Sequence, residues 1–294
     1  NIKVGVIYLF SKVGKSQTGN EVTVVTDDLL NPIQYYVGDY GIGDNNTSLA
    51  SFNYADYFTS NITGGIYRVS NDGVTPISVL YKMNSWATEN LPLRTGTYKV
   101  YGCYDQKLNN YIIATEETPT SAADTLTFSE EENVFESFLD ARPEMMVTIG
   151  TLLCMFQSGQ MWTHDSTRYN SFFGVDYGSD ITPVFNDKVY ITKQPQSLDE
   201  RSSVIWACHA IETSVMSYGT TPQQSTLVSQ EFRNMEGRFM ASFKRDTNSR
   251  GGKINGNFLK AHWLKLKFQV SSAPELTTLS MATVYFVESS LNSK

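Results

Sequence analysis

The stretch Asp124–Gly174 constrains this chain more than any other, because it sets several β-type runs close together between turn-forming clusters. Thr125–Phe128 leads through the polar Ser129–Asn133 into Val134–Leu139. Pro143 breaks the chain, Met146–Phe156 follows as a longer apolar run, and Ser158-Gly159 turns it into Met161–His164. Short β-branched and aromatic runs separated by tight turns predict an antiparallel up-and-down sheet. Trp162 is placed to fill space between neighbouring sheets, as in a blade of a β-propeller. The pattern alone leaves a blade and part of a sandwich equally open.

Composition favours strands throughout. Tyr (17) and Phe (16) far outnumber Trp (4), and Thr, Ser and Val are abundant, a tilt toward residues that suit a pleated surface. The longest apolar run, Met145–Phe156, is interrupted by Thr148, Gly150 and Thr151, so no segment reads as membrane-spanning. Cys103, Cys154 and Cys208 are odd in number, far apart and without a CxxC spacing; they read as buried, reduced side chains. A net charge of −7 argues against a general nucleic-acid binder. That charge is uneven. Glu231–Phe268 carries nine basic residues against three acidic ones, a basic segment on an acidic body that suits a subunit contact or a surface facing phosphate; an electrostatic subunit contact weakened by salt, rather than sequence-specific DNA reading, is expected.

Upstream of the central stretch, Lys3–Phe10 and Glu21–Thr26 read as strands, with turns at Gly14–Asn20 and from Asn31-Pro32. Phe52–Thr59 and Gly65–Ser70 form an expected pair joined near Asn61–Gly64, and Asn71-Asp72-Gly73 is a turn signal. One short helix is expected from Thr75-Pro76 to Trp86, with proline in its first turn. Tyr98–Tyr104 and Asn110–Thr115 predict a hairpin. Downstream, Tyr177–Pro183 reads as a loop, Val184–Thr192 as a strand pair, and Gln194–Arg201 as a connection. Val204–Thr213 reads as a strand, although Trp206–Ala210 would also suit a helix. Gly237–Lys244 alternates strictly, with Phe239 and Phe243 on one side, and Ala261–Val270 alternates again. Trp162 and Trp263 are the expected core tryptophans of the two regions.

No motif carries chemistry. Gly14-Lys15-Ser16 lacks the upstream glycine of a phosphate-binding loop, since position 9 is Leu. Ser70-Asn71-Asp72-Gly73 departs from the Asp-box of sialidase propellers at Val74 and Ile77. His164, His209 and His262 form no pair with metal-ligand spacing. His164-Asp165 lacks a nucleophile elbow to serve. The acidic run Glu130–Glu132 reads as a solvated hairpin tip rather than a cation site. No catalytic, cofactor-binding or metal residue is assigned, and no enzyme activity is expected.

Glu144–Gly174 (EMMVTIGTLLCMFQSGQMWTHDSTRYNSFFG) resembles a recurrent blade sequence in the large tail nozzle, or muzzle, proteins of crAss-like and other short-tailed bacteriophages. Gly41-Ile42-Gly43, Ser51–Phe58, Gly65–Ser78 and Tyr81–Ser85 follow the same family's order of loop, strand, strand and short helix. Phe239–Asn248 and Ile254–Phe268 resemble its C-terminal stretch, whereas Gln194–Gln230 is least distinctive. The resemblance implies a structural protein of the virion tail, located at the outer end of a ring-shaped tube. Its implied partners are other copies in a sixfold ring, neighbouring tail proteins and DNA passing without sequence recognition. No functional residue carries over.

The expectation is therefore an all-β chain. Propeller blades would occupy residues 1–175, and a smaller antiparallel β-domain residues 176–294. Family members are much larger, and this sequence starts at Asn1 without Met. A processed C-terminal part that stays bound to the N-terminal part of its precursor is expected, with simple trimming as the plainer alternative. Two rival functions are a free-standing glycan-binding propeller and a glycosidase-like propeller with two facing carboxylates.

Overall fold

A computed structural model of the chain describes residues 3–7, 12–15, 21–24, 33–164, 167–217, 221–248, 256–271 and 275–289. The chain divides into two compact units, Asn1–Ser166 and Thr167–Lys294. Both are built from small antiparallel sheets, in agreement with the all-β expectation.

The first unit begins with two isolated pairs. β1 (Gly5–Val6) joins β4 (Gln34–Tyr35), and β2 (Lys12–Lys15) joins β3 (Glu21–Val24). Of the turn expected at Gly14–Asn20, Gly14 and Lys15 are strand residues of β2, and 16–20, like 31–32, lie outside the described residues. A four-stranded meander follows: β5 (Ala50–Phe52), β6 (Ala55–Ser60), β7 (Gly65–Ser70) and β8 (Gly73–Pro76), paired in sequence order. A second meander repeats that order with β9 (Val100–Asp105), β10 (Asn110–Thr115), β11 (Thr125–Ser129) and β12 (Val134–Leu139). Asparagine makes three of the hairpins possible. Asn53, Asn109 and Asn133 sit at their tips with φ of 52°, 55° and 54°, a left-handed conformation that asparagine tolerates better than most residues.

A third sheet has β13 (Met145–Ile149), β14 (Leu152–Gln157) and β15 (Gln160–Thr163). The long apolar run is thus a hairpin rather than one strand, turned at Gly150 with φ of 63°. Asp124–Gly174 is accordingly not one sheet. Its first two strands complete the second meander, the next three form the third sheet, and Ser171–Phe172 pairs elsewhere, in the second unit. Pro143 marks the division, because a proline cannot donate a ladder hydrogen bond.

The expected single helix is also corrected. α1 (Ile77–Leu80) and α2 (Asn84–Asn90) are separate, with Lys82 at φ 62° between them. A residue in that region cannot continue a right-handed helix. The first unit's buried core draws Tyr57 and Ile66 from the first meander and Tyr104, Tyr111, Ile113, Leu126 and Phe128 from the second. Gly102 is required by close approach: a Cβ there would stand 2.0 Å from the Ser48 carbonyl oxygen, which accepts a 2.6 Å hydrogen bond from the Tyr111 hydroxyl.

The second unit opens with β16 (Ser171–Phe172) and β17 (Val175–Asp176), which pair with each other. The segment expected as a loop contains β18 (Ser179–Ile181), and only β19 (Val184–Phe185) is strand within Val184–Thr192. The largest correction is Gln194–Arg201. This supposed connection lies inside β20 (Lys193–Ser202), an inner strand flanked on both sides. Its neighbours become clear once the remaining strands are placed: β21 (Ala207–Ser217), β22 (Thr221–Leu227), β23 (Arg233–Met235), β24 (Arg238–Ser242), β25 (Leu264–Val270) and β26 (Leu279–Glu288). One sheet runs β23-β24-β20-β26. The other runs β18-β25-β21-β22, with β19 also paired to β25.

The two sheets share one core. Leu198 and Ala241 come from the first sheet, and Cys208, Ile211, Leu227, Leu266 and Phe268 from the second. The alternation read in β25 holds, with Leu264, Leu266, Phe268 and Val270 buried and Lys265 and Gln269 exposed. Phe239 and Phe243 pack on the core beside Ala241, as the alternation of that segment predicts. Within Val204–Thr213, Ala207–Thr213 is strand, the beginning of β21, and no part is helix.

Candidate functional site

Within the first unit, the two meanders meet through a polar and aromatic seam. Tyr57 on β6 stacks on Tyr104 and Tyr111, with ring centroids 5.4 and 5.2 Å apart, and Phe52 on β5 stacks on Tyr104 at 4.4 Å. Such ring contacts add to the area they bury. At the end of this stack the Tyr57 hydroxyl donates to Glu130 Oε2 at 2.6 Å. Arg68 on β7 donates to Glu130 Oε1 through Nε at 2.9 Å and Nη2 at 2.8 Å. A fork of this kind fixes orientation as well as charge. Burial and the neighbouring Glu130 carboxylate hold the Tyr57 phenol well above its ordinary range, so it remains a donor. The acidic run is therefore not simply a solvated tip. Its first residue clamps one sheet to the next, and nothing in the local sequence shows the partner, which lies 62 to 73 positions away.

A second polar knot secures the link between α2 and the second meander. Arg94 is fully buried. It donates to the carbonyl oxygens of Asn90, Ala122 and Glu116 at 2.7, 2.8 and 3.3 Å, and to Thr115 Oγ1 at 3.3 Å. Trp86 Nε1 donates to Asp124 Oδ2 at 3.0 Å in the same region. Buried polar groups satisfied by several partners specify one arrangement of the chain.

The second unit buries charge differently. Asp199 and Glu200, adjacent on β20, are both fully buried. Successive strand residues face opposite sides, so each carboxyl has its own surroundings. Asp199 Oδ2 accepts from Arg238 Nη1 at 2.9 Å, while Oδ1 has no partner. Glu200 Oε1 accepts from the Trp206 backbone N–H at 2.9 Å, while Oε2 has none. Burial pushes the Glu200 carboxyl up to about 7. The nearby Cys208 thiol is pushed up to about 12 by burial and by the Glu200 charge.

The residues weighed in the sequence are dispersed among these elements. His209 is exposed on β21. His262 is half-buried, its Nδ1 3.0 Å from the Val189 carbonyl oxygen. His164 follows β15, and Asp165 lies outside the described residues. Gly14 and Lys15 are in β2, and Ser16 is outside the described residues. Ser70–Gly73 is the turn joining β7 to β8. The three cysteines are buried and free, as their spacing implies.

Trp162 and Trp263 are half-buried and belong to neither core cluster. The buried tryptophan is Trp206, at the start of β21. An apolar run surrounds each misassigned residue, yet Trp162 lies on β15, an outer strand of a three-stranded sheet, and Trp263 immediately precedes β25 rather than lying within it. Of the basic segment, Lys244 pairs with Glu231, Arg238 with Asp199 and Lys267 with Asp180. Arg245 lies 4.0 Å over the Phe258 ring. Arg233 and Lys265 are exposed, and Arg250 and Lys253 lie outside the described residues.

The chain matches no protein-family model, and no curated protein is similar to it. Among the described residues no helix is long and apolar enough to cross a membrane.

Proposed function

We propose that the chain is a structural protein of a short-tailed phage virion, building the wall of the distal tail nozzle through which genome and ejected proteins leave. One observation carries the reading: the first unit repeats a sheet of the same order. Two four-stranded meanders follow each other in sequence, and their first strands, β5 and β9, pack against one another. β9 packs in turn on β13, the first strand of the third sheet. Thr148 of that sheet donates to the Tyr104 carbonyl oxygen at 2.7 Å and lies 3.1 Å from Cys103 Sγ. Adjoining first strands support taking these sheets as blades of a propeller. Of the segments that carry the resemblance, Ser51–Phe58 spans β5 and β6, and Gly65–Ser78 spans β7, β8 and the start of α1.

Among the described residues, the three sheets taken as blades are too few to close a ring, which takes at least four. Met145, Ile149, Leu152 and Met161 of the third sheet are exposed, an apolar surface of the kind that marks an assembly contact. Further sheets, from the same precursor or from other copies in the ring, complete the wall. Electron microscopy of the assembled protein tests this. Closed rings with a central channel are the expected result; a dispersed monomer at high concentration would overturn it.

A second reading has its own support. Tyr54, at the β5–β6 turn, is 86% exposed, and a tyrosine presented on a loop tip suits stacking on a sugar ring. Contact with host-surface glycans is checked by a glycan array, on which Tyr54→Ala should lose any signal.

A further inference from the structure

The second unit contains a cavity of about 300 Å³ between its two sheets, at the end where β20 begins. Its wall is apolar, formed by Val184, Phe185, Ala261, Leu264, Val284 and Phe286. One cation lines it. Lys193 is only 5% exposed, and its backbone is fixed by two 2.8 Å hydrogen bonds with Ala261. Its ammonium donates to the Asp187 carbonyl oxygen and lies 5.1 Å from the centre of the Phe286 ring. An ammonium has three donors, and among the described residues no carboxylate pairs with this one.

We propose that this cavity binds a small monocarboxylate with an apolar body, its carboxylate against Lys193 Nζ. The reasoning is one of complementarity. A buried cation satisfied by one carbonyl and a ring face keeps donors to spare, and removing it from water is costly unless an anion or further acceptors meet it. Burial depresses the lysine's affinity for its proton, which agrees with an ammonium short of compensation. The size lies at the lower end of ligand-sized pockets, so the body is short. Apolar walls with one placed polar group are the usual composition of such a site. The Asp187 carboxylate also lies at the cavity, but its residue is exposed to water, which weakens its repulsion of an anion. The exposed Asn186 amide beside it can donate to the second carboxylate oxygen.

The test is isothermal calorimetry of the full chain with sodium octanoate and, separately, 1-octanol, which has a similar tail without the charge. Saturable binding of one octanoate per chain is expected, with octanol at least about tenfold weaker. Lys193→Met keeps the stem and removes the charge, and should weaken octanoate by about tenfold or more while leaving octanol unchanged. Val184→Trp fills the cavity from an exposed position and should abolish both. Thermal melting checks that each variant folds, and the octanoate–octanol comparison stands on the unaltered protein. Absence of saturable octanoate binding, equal affinity for the two probes, or binding unaffected by Val184→Trp would overturn the proposal.

Discussion

The two units use the same class of structure and bury charged groups in different ways. In the first, Glu130 receives donors from Tyr57 and Arg68, and Arg94 is met by three carbonyls and a hydroxyl. In the second, Asp199 and Glu200 each keep one buried oxygen without a partner. A satisfied network fixes geometry, whereas the buried Glu200 carboxyl responds to pH. The first unit is thus suited to holding sheets in register, and the second carries a titratable group in its core.

The comparison breaks first at its tryptophans. Trp206→Ala should destabilise the second unit by about 3–5 kcal/mol, because it empties a buried site. Trp162→Ala should cost the first unit about 1–2 kcal/mol, since that side chain is half-buried. Chemical denaturation followed separately for the two units checks this. Equal losses would show that burial does not separate these residues.

Next in size is the pH response of Glu200. Its folded value, about 7, stands above the ordinary 4.5. Its favourable contribution is fully present below about 4.5 and is lost as pH rises through about 7. Glu200→Gln removes that loss and should raise stability at pH 8 relative to the parent by about 2–3 kcal/mol, with little gain at pH 4. A parallel shift at both values would contradict the assignment.

These two residues also show how far the sequence could be read. β10 and β11 were legible because their β-branched and aromatic runs are bounded by local turn residues, and β25 because its sides alternate. β20 was not. Its segment KQPQSLDERS carries no apolar alternation, yet it is held on both sides by β24 and β26, so tertiary pairing overrides composition. The Glu130 clamp was hidden for a related reason: an acidic turn looks solvated until a tyrosine and an arginine from another sheet arrive. The grouping of Asp124–Gly174 into one sheet failed because a run of antiparallel strands does not announce which hairpin begins the next sheet.

A smaller effect sharpens the first unit's side. Tyr57→Phe keeps the aromatic stack and deletes the hydrogen bond to Glu130, which should cost about 1 kcal/mol. Arg68→Met should cost a similar amount, and the double variant less than the sum, since both act on one carboxylate. Additive losses would mean that the clamp does not work as a unit.

The smallest expected effect is at an exposed pair. Lys267 and Asp180 lie 3.2 Å apart with both side chains about half exposed, so Asp180→Asn should change stability by less than about 0.5 kcal/mol, and less still in high salt. A larger loss would give the basic segment a structural role in its own unit.

The proposed role in a phage tail is tested most directly by mass spectrometry of phage particles purified from lysates in which the chain is produced. The account predicts peptides from both units, from Ala50–Leu139 and from Lys193–Glu288, in the particles at a constant ratio to the other tail proteins. Particles that are infectious and contain neither set of peptides would contradict it.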